Sequence, residues 1–184
     1  MKLKQLTALI HISGALIFLF LLIFLEITTP TYNWQTSVIS DLGVNPQSAH
    51  TFNTTTVIAG IGLVIISILN YSLLRKVLFS LITTVCGIAI TGVGLYPTNV
   101  NSQLHVISAA IAFILAVLVM LYSCRFATNL YQRAFALLGA TSLISLILFG
   151  LQYTTGQTSG VLENLIVIPF AIWNAVFGIF LSKN

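Results

Sequence analysis

Charge is what this sequence has least of. Of 184 residues three are acidic and seven basic, 5% in all, where a soluble domain carries about 25%. With 58% hydrophobic residues and a mean hydropathy of +1.05, there are too few polar side chains to cover a globule in water. The surrounding solvent has to be lipid. Cysteine is scarce too. Cys86 and Cys124 are the only two, they form no CxxC pair, and neither is placed to meet an oxidising compartment, so no disulfide is expected. The sequence also lacks a Walker motif, a nucleotide-binding glycine pattern and a nucleophile elbow. The net charge of +4 and pI of 9.3 do not point to nucleic acid, because the basic residues are scattered in ones and twos. No polybasic lipid-binding run is present either.

What the chain does have is six apolar runs, at roughly 6–27, 51–74, 77–96, 105–123, 134–153 and 162–182. Each is long enough to cross about 30 Å of hydrocarbon as a helix. The first follows Lys2 and Lys4 as a signal peptide would, but it is too long for one and no small-x-small cleavage site follows it. The expected fold is all-α: a single domain over residues 1–184, built as a polytopic six-helix bundle. Lys2, Lys4, Arg75, Lys76, Arg125, Arg133 and Lys183 then all fall on one side. Basic residues near helix ends mark the cytoplasm, so both termini are expected there, in a cell-membrane protein. The polar interval Thr28 to Asn53 becomes a structured extracellular cap between helices 1 and 2.

Small residues predict the packing. Thr84, Gly87, Thr91 and Gly94 form a stripe on helix 3, and Ser108, Ala109, Ala112 and Ala116 one on helix 4. In lipid, helices associate largely through such residues. Helix 3 is therefore expected at the centre, packed on helix 4, with Val117 facing lipid. Pro169 is expected to bend helix 6, and Asn174 to hydrogen-bond across helices near mid-membrane. His11 and Glu26 are placed near opposite ends of helix 1.

The acids and two of the three histidines collect at the cap side. Asp41, His50, His105 and Glu163 come from the cap and helices 2, 4 and 6, and with Ser40 and Asn53 they can converge at the outer mouth of the bundle. Such a cluster suits a lipid headgroup or lipid-linked small molecule, with membrane lipids as the partners. A membrane-embedded metal-dependent hydrolase is the alternative: His50 and His105 would hold a divalent ion such as zinc, with Asp41 or Glu163 as further ligand or general base. A third reading has the cluster clamping the cap onto a scaffold. No local HxxxH or HExxH spacing selects the metal reading.

Three segments carry a resemblance. Ile39-Ser40-Asp41-Leu42-Gly43 followed by Phe52-Asn53 and Gly60, Gly94-Leu95-Tyr96-Pro97 followed by His105, and Gly160-Val161-Leu162-Glu163 leading to Pro169 and Trp173 resemble the prokaryotic membrane family known as domain of unknown function 998. That resemblance implies a six-helix membrane protein without an established activity, similar in fold to eukaryotic proteins linked to lipid and anchor remodelling. It also implies an arginine after the helix-6 glutamate, where this chain has Asn164.

Overall fold

The computed structural model describes residues 2–154 and 160–183. Among them are six α-helices and no strand: α1 Leu3–Thr28, α2 Ala49–Leu74, α3 Val77–Leu95, α4 Thr98–Ser123, α5 Asn129–Thr154 and α6 Gly160–Lys183. All six are long and apolar enough to span a membrane. A helix satisfies its own backbone polar groups, which in hydrocarbon nothing else can do.

The ends are set by local chemistry. α2 stops where Arg75 turns left-handed, at φ 55°. Pro97 allows only a two-residue link between α3 and α4, since it cannot continue α3 but suits the position before the first turn of α4. α4 starts seven residues before its apolar run, and α5 five before. In α4 the early turn bends at Asn101 (φ −155°), whose Oδ1 accepts the Leu104 N–H at 3.0 Å and restarts the helix. Hydropathy misses such polar extensions because they lie beyond the hydrocarbon.

Each helix packs on its chain neighbours, and α6 closes a ring by returning to α1, also touching α4 across the middle. The small-residue stripe of α3 therefore meets α2, not α4. A Cβ on Gly60 would lie 2.6 Å from the Gly87 carbonyl oxygen, one on Gly94 2.7 Å from that of Asn53, and Ser67 Oγ is 2.5 Å from Thr84 Oγ1. The α3–α4 contact uses other positions: Gly92 against Ser108, and Cys86 against the Ala112 carbonyl. Helix α3 is one member of the ring and not its centre. The helix that reaches inward is α6, where Ile166, Trp173 and Phe177 are fully buried. Val117 is buried as well, packed in the aromatic core and not in lipid.

That core fills one end of the bundle. Phe79, Phe135, Trp173 and Phe177 have no exposed surface. Trp173 and Phe177 ring centroids are 5.1 Å apart, and the indole N–H donates to Ser123 Oγ at 3.0 Å. All seven basic residues lie at this same end, near the start of α1, α3 and α5 and the close of α2, α4 and α6. Cys86 and Cys124 are both free.

The other end carries the cap. Between α1 and α2 the chain makes a short 3-10 turn, Ile39–Gly43. Ile39 and Leu42 are buried against Leu22, Leu25 and Phe52, which makes the turn a hydrophobic plug as well as a polar loop. The start of α6 straps it down. Val161 N–H donates to the Trp34 carbonyl at 3.0 Å, and a Cβ on Gly160 would stand 2.1 Å from the Ser37 carbonyl oxygen. Only glycine permits that approach.

Candidate functional site

Directly under the cap the ring is hollow. A cavity of about 400 Å³, lined by α1, α2, α3, α4, α6 and the cap, runs inward as far as Asn174. Its wall is mostly aliphatic. At its capped end polar side chains come from Ser40, His105 and Glu163, and at its far end from Ser13 and Asn174.

Glu163 and His105 are each held by a backbone partner. Glu163, in the first turn of α6, accepts the Ile39 N–H at 2.5 Å and also bonds the Ser40 N–H. These two amides have no earlier carbonyl to use because they begin the 3-10 turn. His105 is buried, and its Nδ1–H donates to the Tyr96 carbonyl at 3.0 Å. That carbonyl is free because Pro97 ends α3, and the bond leaves Nε2 of the neutral ring as the acceptor. The stretch Gly94-Leu95-Tyr96-Pro97 with His105 is thus one hydrogen-bonded unit. The stretches Ile39–Gly43 and Gly160–Glu163 meet each other across the cavity mouth.

The remaining candidates stand apart from the cavity. Asp41 Oδ2 accepts the Val38 N–H at 3.0 Å, so it caps its own turn. Asn53 Nδ2 donates to the Gly43 carbonyl at 2.9 Å, tying the cap to α2. His50 is exposed at the start of α2. Among the described residues no group of three His, Cys, Asp or Glu side chains is placed to hold a metal ion.

Two further polar nodes were not paired by sequence. At the inner end, buried His11 bonds Asn174 through Nδ1 and Asn70 through Nε2 at 3.3 Å. Asn174 does bond across helices, as expected, but its partner is 163 residues away. Asn70 could have been flagged as the one amide in the apolar run Val64–Leu74. Near the cap, Glu26 Oε1 accepts from Tyr32 O–H at 3.0 Å and Asn164 Nδ2 at 2.8 Å. Burial pushes the Tyr32 phenol up, so it remains an O–H donor. Asn164 thus takes up a neutral role where the resemblance implies an arginine.

The family model described as Protein of unknown function (DUF998) matches residues 12–179. This chain is a DUF998 protein. The match includes all of the cavity wall except Ile10, and it contains the three segments that build the cap–α6 and α3–α4 contacts. No curated protein and no solved structure matches the chain. What this DUF998 bundle does is therefore read from its own geometry.

Proposed function

We propose that this multi-pass protein of the cell membrane has both termini in the cytoplasm and its cap outside. In this reading it takes the apolar tail of a lipid or lipid-linked molecule into the cavity and meets the polar head at Ser40 and His105. Glu163 already accepts two backbone N–H groups, so its part is to hold the roof.

The observation that carries this reading is that residues of the cavity wall are themselves exposed, which points to a side opening between α1 and α2. Ile17 of α1 and Ile58 of α2 line it and are also 59% and 64% exposed. Gly14 and Gly62 line it between them, and nothing lies within 4 Å of a Cβ built on either. No packing contact calls for glycine at these helix positions, where it costs about 1 kcal/mol relative to alanine. Their shared effect is to leave a gap between α1 and α2. A mostly aliphatic space of this size, with a few polar groups under the cap, suits an amphiphile.

The test is lipid retention. Wild-type protein purified in mild detergent should carry bound lipid detectable by native mass spectrometry, and Gly62→Phe should fold yet lose it. Equal lipid in both forms, or none in the wild type, rules the reading out. Orientation rests on the seven basic residues at one end. A cysteine at Gln47 should react with an impermeant thiol reagent on intact cells, and one at Lys183 should not. The reverse pattern would invert the topology.

A further inference from the structure

Glu26, on the last turn of α1, is 3% exposed, and Asn164 of α6 is 4% exposed. Both donors that reach the Glu26 carboxyl land on one oxygen. Oε1 takes the Tyr32 hydroxyl and the Asn164 amide, while Oε2 is buried without a partner among the described residues, as is Asn164 Oδ1. Turning the amide over does not mend this. It would set Oδ1 against Oε1 at 2.8 Å, acceptor against acceptor.

The two unpartnered atoms complement one another. A primary amide and a carboxylic acid pair edge to edge, with the amide N–H on the acid carbonyl and the acid O–H on the amide carbonyl. The first arm is present at 2.8 Å. The two bare oxygens are the atoms that the second arm would join through one hydrogen.

We propose that Glu26 and Asn164 form a proton-binding site, in which the Glu26 carboxylate takes up one proton from solvent on Oε2 and donates it to Asn164 Oδ1. Oε1 is then the carbonyl oxygen, which accounts for its two donors, and both buried acceptors are satisfied by a single ligand. This site is separate from the lipid cavity and does not rest on the lipid-binding reading.

Among the described residues no cationic side chain is paired with Glu26. Facing Glu26 are the Tyr32 phenol from the cap and the Glu163 carboxylate from α6. Asp41, the third acid, is engaged with its own turn. The basic side chains nearest in sequence, Lys2 and Lys4, lie about 33 Å away along α1. A bare buried carboxylate oxygen without a donor is strongly disfavoured. The proton joins α1, the cap and α6 without net charge, so its loss should loosen the strap between cap and α6. The folded form binds a hydrogen that an unfolded glutamate has released at neutral pH, so stability should fall as pH rises.

Infrared spectroscopy of the protein in lipid nanodiscs tests this directly. At neutral pH the wild type should show the carbonyl stretch of a protonated carboxylic acid, shifted in D₂O and absent from Glu26→Gln. In that variant the glutamine Nε2 can replace the acid O–H, so it should match or exceed the wild-type Tm and vary less with pH than the wild type. Glu26→Ala should lower Tm. Absence of the acid band in the wild type would overturn the proposal, as would equal losses of Tm in Glu26→Gln and Glu26→Ala. A wild-type Tm that rises with sodium or lithium and becomes insensitive in Glu26→Gln would assign the site to a metal cation instead.

Discussion

Replacing Gly60 with alanine is expected to lower stability by about 3 kcal/mol, and replacing it with leucine to prevent the bundle from forming. The added Cβ would sit 2.5 Å from the Thr91 backbone nitrogen and 2.6 Å from the Gly87 carbonyl oxygen. Backbone atoms cannot rotate aside as a side-chain tip can, so α2 and α3 would have to separate. That separation would propagate, because the same crossing is fixed again at Gly87 and Gly94, each within 3 Å of opposing backbone. Between helices in lipid such close packing is the main source of attraction. Gly14→Ala is the matched control. It has open space around the new atom and should leave stability unchanged or raise it by about 1 kcal/mol. Thermal unfolding of the two variants in detergent, side by side, is the measurement. Equal behaviour would show that the α2–α3 crossing is looser than described.

The second large effect is expected at Glu163. Truncation to alanine strands the N–H groups of Ile39 and Ser40 under the cap, at a cost of roughly 3 kcal/mol for a buried, charge-assisted pair of bonds. The cost should appear as local opening before global unfolding. Ile39 and Leu42 would leave their seat on Leu22, Leu25 and Phe52, and a protease should then cut between Thr31 and Gln47. Glu163→Gln keeps one acceptor oxygen and should be milder. An alanine variant whose cap stays resistant to protease would mean that hydrophobic seating and the Gly160–Val161 strap hold the roof without the carboxylate.

The zinc-like arrangement considered for His50 and His105 takes no part in the function proposed above. It needs several donors to converge, whereas among the described residues no three His, Cys, Asp or Glu side chains do, and His50 lies exposed on α2. Of the six polar candidates, Ser40, His105 and Glu163 line the cavity, and Asp41, His50 and Asn53 do not. Chain position alone could not divide them. Asp41 and Ser40 are adjacent, yet the 3-10 turn directs Asp41 back to the Val38 amide and leaves Ser40 over the hollow.

Sequence by itself determined the six spans. Their cause is one-dimensional: transfer of about twenty apolar residues into hydrocarbon depends on composition along the chain and hardly on neighbours. Tertiary structure alone decided which faces meet. The α3 stripe could serve α2 or α4, and small residues declare only that something approaches closely. Ring closure likewise decided the polar pairs, joining Glu163 to Ile39 across 124 positions and Asn164 to Glu26 across 138. The cavity was the least legible feature. In water, a residue's polarity tells core from surface. In lipid, Ile68 on an exposed face, Phe79 in the packed core and Ile166 on the cavity wall share one chemistry, so only the packing shows where the bundle is hollow.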